Sequence, residues 1–236
     1  MTGDHQDRVL TELAIAAPAD AVWQALRDKQ SILRWFGWDA DTLDAEVDMI
    51  FAQYGREEGR TLHFEGTQDR FEVTADGADA CLLRVVRAAP GDSDAFDEMA
   101  EGWISFGNQL KLAIEQHGLA ERRTLYFSGA LREGQAALLR QLGIAVDTLS
   151  PQLPTGDETG SLWHRTPFQV GLTMPGWGHG LLIAMDMPAD AKPPNGAASA
   201  ILTTYGLDDA TFAALAARWK DWWDERFDSA QAPACE

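Results

Sequence analysis

The stretch DAFDEMAEGWISFGNQLKLAIEQHG, residues 94–118, decides how the first half of this chain folds. Its apolar residues recur at alternating four- and three-residue steps, so one helix face carries Met99, Trp103, Phe106, Leu110 and Ala113. Asp94 suits the N-cap, and Gly118 suits the position after the last turn. The pattern predicts a single amphipathic helix over residues 94–118.

Two glycines, Gly102 and Gly107, interrupt this helix. Each costs about 1 kcal/mol relative to alanine in a helix interior. That cost is easier to understand where another surface, or a ligand, comes close to the helix. We therefore expect a close approach at these two positions.

Upstream of the helix, apolar alternation and glycine-marked turns predict a run of strands. We expect strands over residues 9–16, 45–51, 61–65, 70–74 and 81–88, with turns at Gly55, Gly59, Gly66 and Gly77. Pro18 suits the start of one short helix, and Gly37 ends a second. The order of strand, two short helices, antiparallel meander and long helix predicts an α+β unit with the helix on one face of the sheet.

The second half repeats this order with less detail. We expect strands over residues 124–128, 168–174, 180–187 and 198–205, a short helix over 134–142, and an irregular stretch over 144–167. A helix over 208–227 closes the chain, with one face made of Phe212, Leu215, Trp219 and Trp222. The sequence predicts two domains, 1–118 and 119–236; the alternative is that the second half completes one larger sheet.

Composition excludes several classes of partner. The 236 residues carry a formal net charge of −18, which argues against nucleic acid and anionic membranes. No segment approaches the roughly 20 apolar residues of a membrane span, and the N-terminus lacks the features of a signal peptide. Cys81 and Cys235 offer no disulfide framework. We expect a cytoplasmic protein without membrane insertion.

A set of residues in the first half forms a recognisable signature. Its members are Ile15, Ala17, Pro18, Val22, Trp23, Ala25, Leu26, Asp28, Leu33, Trp35, Phe36 and Gly37, followed by residues 70–73, 82–86, Gly102 and Trp103. On these residues, the stretch 8–118 resembles the helix-grip superfamily, also called START or Bet v 1-like, in the branch named after the Hsp90 ATPase activator. The resemblance implies a curved antiparallel sheet that grips the long helix and leaves an apolar cavity between them.

The second half shares only the order of elements with this superfamily, because it lacks the Ala–Pro and Trp–Phe pairs. A tandem of two such units resembles proteins of actinobacterial biosynthetic gene clusters, including those for enediynes. The fold expected is therefore α+β, with two tandem helix-grip units.

No catalytic motif stands out. The chain has no HExxH, and its histidines (His5, His63, His117, His164 and His179) lack ligand spacing, so we expect neither a metal nor a cofactor. It also has no GxSxG. The sequence GWGHG at residues 176–180 lacks the order of a phosphate-binding loop, so we expect a mobile hairpin or loop that could gate a pocket with Trp177 and His179 at its tip.

Nine tryptophans are more than a core of this size requires. Large aromatic side chains suit the walls of a pocket for a flat or conjugated ligand, although a helical stripe of aromatics also simply forms core. The residues that we predict to line such a cavity are Trp35, Phe36, Phe64, Phe71, Arg84, Trp103, Phe106, Leu110, Tyr126, Trp163, Trp177, His179, Trp219 and Trp222. Strand alternation leaves open whether the polar candidates, His63 among them, face the cavity or solvent.

Three functions are open at this point. The leading one is binding of an apolar, polyketide- or polyene-like small molecule in secondary-metabolite biosynthesis or self-resistance, with a biosynthetic enzyme as a further partner. The second is an aromatase/cyclase, which needs a positioned acid or base that the sequence does not identify. The third is a co-chaperone of the Hsp90 type.

Overall fold

The structure, a computed structural model, describes residues 7–88, 95–156 and 158–229. The chain divides into two compact units, Met1–Glu121 and Arg122–Glu236. Each unit contains an antiparallel sheet and a long helix late in its sequence, which confirms the predicted α+β class. The predicted domain limits, 1–118 and 119–236, stay a prediction until independent folding is tested.

The first unit is a five-stranded antiparallel sheet with the order β1-β5-β4-β3-β2. Its strands are β1 Arg8–Ile15, β2 Gly55–Glu58, β3 Thr61–Phe64, β4 Asp69–Ala75 and β5 Cys81–Arg87. Between β1 and β2 lie α1 Ala19–Arg27, α2 Lys29–Ile32, α3 Leu43–Val47 and a π-helical segment Asp48–Gln53. In β1 and β5 the buried Leu13 pairs with the buried Leu83, so both contribute to the core on one face of the sheet.

The long helix of this unit, α4, spans Glu98–His117 and packs on β1 and β5. Asp97 caps it by accepting a hydrogen bond from the Ala100 N–H at 3.0 Å, and Gly118 follows in the left-handed conformation. Asp94, the predicted N-cap, lies outside the described residues. The last turn ends where the sequence predicted, because glycine adopts the left-handed conformation without a Cβ clash.

The predicted strand at residues 45–51 is wrong. This stretch is helical, first as α3 and then as the π-helical segment that ends at Gln53. Leu43, Val47 and Phe51 are all buried, and they recur every four residues, which is the spacing of one helix face. The sequence pattern was therefore present but too short to be distinguished from strand alternation.

The strand β2 was missed because three of its four residues are exposed and no apolar alternation marks it. Gly55 begins this strand where the chain passes close to the preceding helical turn. A Cβ on Gly55 would lie 2.2 Å from the Phe51 carbonyl oxygen, so this position requires glycine. The glycine that was interpreted as a turn marker thus permits a close approach of backbone.

The second unit is a six-stranded antiparallel sheet with the order β13-β6-β12-β11-β10-β9. Its strands are β6 Arg122–Leu131, β9 Ser161–Arg165, β10 Gln169–Met174, β11 Gly180–Met187, β12 Ala197–Tyr205 and β13 Phe227–Ser229. A separate pair consists of β7 Gln152–Leu153 and β8 Glu158–Thr159, and the helices are α5 Leu138–Gln141 and α6 Asp209–Asp224.

Three expectations for the second unit need correction. The helix predicted over 134–142 is reduced to α5, and the irregular stretch 144–167 contains β7, β8 and β9. The last helix ends at Asp224, and Phe227 belongs to a strand instead. Its buried ring stacks on Trp223 with centroids 4.2 Å apart, so aromatic packing holds this short strand on the unit.

Of the two cysteines, Cys81 lies in the described part of the chain. Cys81 is free and buried in the core of the first unit, and burial raises the pKa of its thiol. Cys235 lies outside the described residues.

Candidate ligand-binding cavity

The first unit holds a cavity of about 970 Å³ beside the N-terminal half of α4. The helix contributes Glu98, Met99, Gly102, Trp103 and Phe106 to its wall. The remaining lining residues fall between residues 36 and 67, after α2 and up to the turn that follows β3, and they include Phe36, Met49, Ile50, Tyr54 and Phe64. The long helix therefore faces open space over its first turns and packed core further along.

Aromatic rings form most of this wall. Trp103 stacks on Phe64 with ring centroids 4.8 Å apart and an interplanar angle of 22°. Phe36 lies 4.7 Å from Phe106, and Phe71 supports Trp103 edge-on at 4.9 Å. Such contacts hold each ring in one orientation, so the wall is preformed.

A buried carboxylate anchors the Trp103 ring. The indole Nε1–H donates to Asp69 Oδ2 at 3.0 Å, and Asp69 also accepts from Arg87 Nε at 2.7 Å and Nη2 at 3.0 Å. The Asp69 side chain is fully buried, and its hydrogen bond raises the pKa of Arg87 further, against the effect of burial. A buried charge is tolerated only when it is paired in this way.

The two glycines of α4 have different surroundings. A Cβ on Gly102 would have no atom within 4 Å, and Gly102 lines the cavity. A Cβ on Gly107 would lie 2.9 Å from Leu13 Cδ1 of β1. One glycine thus leaves space in the cavity, and the other allows β1 to approach the helix.

The mouth of the cavity is unusually apolar for an exposed surface. Met49, Tyr54 and Met99 are 40%, 46% and 53% exposed. Beside them lie the two exposed carboxylates of the lining, Glu65 and Glu98. Among the lining residues that the structure describes, none is Lys, Arg or His.

Of the residues predicted to line a cavity, four are brought together here: Phe36, Phe64, Trp103 and Phe106. Trp35, Phe71 and Leu110 are fully buried in the core of the same unit instead. The Trp35 indole donates to the Ala25 carbonyl oxygen at 3.0 Å, so its polar edge is satisfied within the core. Arg84 points away from the core and pairs with Glu12.

The predicted lining residues of the second unit do not meet in one large cavity. Trp177, Trp219 and Trp222 are buried in its core, whereas Tyr126 on β6 is exposed and Trp163 on β9 is half-buried. Of these five side chains, Trp177 also lines a smaller pocket of about 350 Å³ beside the first turns of α6.

The loop at residues 176–180 does not present Trp177 at an exposed tip. The Trp177 indole donates to Glu158 Oε2 at 2.9 Å, and the ring is buried. A Cβ on Gly178 would lie 1.8 Å from the Tyr205 carbonyl oxygen, so the loop is seated against the end of β12. His179 follows with a positive φ of 58° and is exposed.

A groove of about 890 Å³ lies on the second unit between residues 139–146 and 165–167. Its lining contains two guanidinium groups, those of Arg140 and Arg165. Arg165 Nη2 donates to the Ala145 carbonyl oxygen at 3.0 Å, which ties the two sides of the groove together. The charge of this lining is opposite to that of the cavity in the first unit.

Several cavity residues were missed by the sequence prediction. Met49, Ile50 and Tyr54 fall in or beside the stretch interpreted as a strand, so their common side was not recognised. A helical interpretation of residues 43–53 would have found them. Glu65 and Glu98 carry no local signal, because only the packing of α4 against the sheet brings them to the same mouth.

Over residues 7–88, 95–156 and 158–229, no group of three or more His, Cys, Asp or Glu could hold a metal ion. No helix in the same ranges has both the length and the apolar character needed to cross a membrane.

Comparison with known proteins gives little beyond two structural likenesses. No protein-family model matches the chain. No curated protein matches it either. DynU16, from the dynemicin biosynthetic locus, is 19% identical over 90% of this chain and 93% of its own, with a TM-score of 0.32. The di-domain ARO/CYC StfQ from the steffimycin biosynthetic pathway is 10% identical over 93% and 94%, also with a TM-score of 0.32. At these scores the likenesses carry no functional argument.

Proposed function

We propose that the first unit binds a flat, apolar small molecule in the cavity beside α4. The observation that carries this proposal is the stacked wall of Phe64 and Trp103 around an open volume of about 970 Å³. Small-molecule sites in proteins span about 300–1,000 Å³ and are mostly apolar and aromatic with a few polar groups. The cavity has this size and this composition.

The wall is arranged for a planar ligand. Trp103 is held by Asp69 and by its neighbouring rings, so a ligand ring that stacks there meets a surface that needs no reordering. Gly102 leaves room in the cavity, because it places no side chain there. Burial of apolar ligand surface at about 25 cal/mol per Å² supplies the driving force.

The helix-grip resemblance of residues 8–118 agrees with this proposal, because that superfamily hosts lipid carriers, polyketide cyclases and self-resistance proteins. On that resemblance, we propose a polyketide- or polyene-like ligand and a role in secondary-metabolite biosynthesis or self-resistance. The same resemblance extends the proposal to a biosynthetic enzyme as partner.

Binding is favoured over cyclisation by the identity of the polar lining. The side chains considered for acid–base work in the sequence, His63, Arg84, Tyr126 and His179, do not line the cavity. The carboxylates at its mouth are exposed, whereas catalytic acids and bases are commonly tuned by burial. No feature of the structure favours the co-chaperone function.

The proposal is tested by a fluorescence titration with a neutral tricyclic compound such as 9-methylanthracene. We expect quenching of tryptophan emission with a Kd in the micromolar range for the wild type. Gly102→Leu places a side chain in the cavity and should weaken binding at least tenfold. Trp103→Phe keeps an aromatic wall but should remove most of the quenching.

The matched control is Ala213→Leu, which adds a leucine at an exposed position of α6. It should leave the Kd unchanged. If Gly102→Leu binds the probe as tightly as the wild type, or if the wild type does not bind at all, the proposed site is wrong.

A further inference from the structure

We infer that the cavity of the first unit selects planar compounds that carry a cationic amine and discriminates against anionic ones. The inference rests on the proposed function, because it concerns the charge preference of the same site. It assigns the carboxylates of Glu65 and Glu98 as the groups that face the amine, and the aromatic wall as the surface that holds the ring.

The charges at the mouth have one sign. Glu65 follows β3 directly, and Glu98 is the first residue of α4, so both carboxylates lie at the same opening. The described part of the lining contains no Lys, Arg or His that could pair with an anionic ligand. A ligand carboxylate or phosphate would therefore be repelled, and an ammonium group would be attracted.

The aromatic residues reinforce this preference. The faces of Trp, Tyr and Phe carry negative electrostatic potential and attract cations, and Trp is the strongest of the three. Tyr54 and Phe106 belong to the lining together with Trp103, so a cationic ring system would meet favourable faces in the cavity as well as carboxylates at the mouth. A neutral ring system would gain the stacking but not this electrostatic term.

The arrangement also predicts an orientation. The deeper wall is Phe64 and Trp103, both buried, whereas the carboxylates are exposed. The ring of the ligand would stack on the buried pair, and its amine would remain at the mouth between Glu65 and Glu98. Met49 and Met99 would cover the apolar edge, since methionine side chains adapt to irregular partners.

The preference is local and not a consequence of net charge alone. The groove of the second unit is lined by Arg140 and Arg165, and the described residues of its lining include no acid. The described residues of this acidic chain therefore form concave sites of both signs. The test must consequently separate the cavity from this groove and from the overall charge.

Three anthracene probes of similar shape differ in charge: 9-(aminomethyl)anthracene is the cation, 9-methylanthracene is the neutral compound and anthracene-9-carboxylate is the anion. Each is titrated into the full chain at low salt, and Gly102→Leu identifies the part of the binding that occurs in the cavity. We expect the cation to bind at least tenfold more tightly than the anion, with the neutral compound between them.

The double variant Glu65→Gln/Glu98→Gln should bring the Kd of the cation to within about twofold of the neutral compound's Kd, and leave the neutral compound's Kd unchanged. The matched control is Asp76→Asn/Asp79→Asn, which removes two exposed charges from the turn between β4 and β5, outside the cavity. This control should retain the preference for the cation.

The outcomes distinguish the two proposals. If the neutral compound binds in a Gly102-sensitive manner but the cation binds no more tightly, the charge inference is overturned and the proposed function stands. If the control variant loses the preference as fully as the Glu65→Gln/Glu98→Gln variant, the effect is one of net charge and the inference is again overturned. If none of the three probes binds, the proposed function itself fails.

Discussion

At the scale of single residues, Arg87 connects two parts of the first unit. It binds the buried Asp69, which holds Trp103, and it also pairs with Asp97, which caps α4. Burial works against ionisation of Asp97, but the hydrogen bond from Ala100 and the charges of Arg87 and Arg8 lower its pKa on balance. The Arg87 guanidinium therefore pairs both with the carboxylate that holds the Trp103 ring of the cavity wall and with the carboxylate that caps α4.

His164 is a second residue whose environment has a measurable consequence. Its Nε2 lies 3.1 Å from Gln169 Oε1, and its ring covers Gly171, where a Cβ would lie 2.2 Å from Nδ1. The residue is only partly buried, but its Nδ1 is shielded from solvent. Because the ring nitrogens carry the proton, burial lowers the pKa of His164 to about 4, against a smaller opposing effect of Gln169.

This pKa predicts how the stability of the second unit depends on pH. Between pH about 6.5 and 4 the unfolded chain binds a proton at His164 that the folded chain does not, so protonation favours unfolding. His164 therefore contributes a loss of about 3 kcal/mol in the free energy of unfolding as the pH falls through this window, from ~1.4 kcal/mol per pKa unit.

The variant His164→Gln lacks this group and should show a smaller loss of stability between pH 6.5 and 4, measured by urea unfolding at several pH values. NMR titration of the His164 ring in the folded protein should place its midpoint near pH 4. A midpoint near pH 6.5 would contradict the prediction.

At the scale of elements, the helical connection before β2 forms part of the cavity wall. The π-helical segment has a wider turn than an α-helix, shown by the Tyr54 N–H that donates to the Met49 carbonyl oxygen five residues earlier at 3.0 Å. Such turns occur often at functional sites. Here the segment presents Met49 and Ile50 to the cavity while Phe51 packs in the core.

The two glycines of α4 are expected to differ in how their replacement by alanine changes the free energy of unfolding. Gly102→Ala should raise the free energy of unfolding by about 0.5–1 kcal/mol, because alanine is favoured over glycine in a helix and its Cβ meets no atom within 4 Å. Gly107→Ala has the same helix preference, but its Cβ would press on the buried Leu13 Cδ1 at 2.9 Å.

We therefore expect Gly107→Ala to be neutral or destabilising. Urea unfolding with linear extrapolation compares the two variants directly. Equal stabilisation by both alanines would contradict the contact between α4 and β1.

At the scale of the whole molecule, each unit has its own sheet and its own hydrophobic core. The core of the first unit centres on Trp35, Phe71 and Leu110, and that of the second on Trp177, Trp219 and Phe227. A unit of this size buries enough surface to fold alone. We therefore propose that the predicted domains are independent, with a boundary close to residues 118–122.

This proposal predicts that residues 1–121 and 122–236, expressed separately, each fold. Each fragment should show antiparallel-sheet signal in far-UV circular dichroism, near-UV signal from packed aromatic rings, and one cooperative unfolding transition. The first fragment should also retain binding of the neutral tricyclic probe. Fragments that lack near-UV signal or cooperative unfolding would contradict independent folding and favour one larger cooperative unit.

Local features of the first unit could be predicted from the sequence, whereas the roles of its aromatic residues could not. The face of α4 and the cap at Gly118 were predictable, because helical period and left-handed glycine are local properties of a few neighbouring residues. The helix-grip resemblance placed four aromatic residues beside a cavity: Phe36, Phe64, Trp103 and Phe106. Trp35 and Phe71 carry the same aromatic signal but are core, and nothing in a single side chain distinguishes the two roles.

The α+β class, the order of most strands and the long helix late in each unit could be predicted from the chain. The packed fold was needed to show that Gly102 borders open space while Gly107 meets Leu13, and that Glu65 and Glu98 share one mouth. Periodicity and capping depend on residues near each other in the chain, and they can therefore be recognised before the elements pack. A cavity is a property of the space between elements, and it exists only once they have packed.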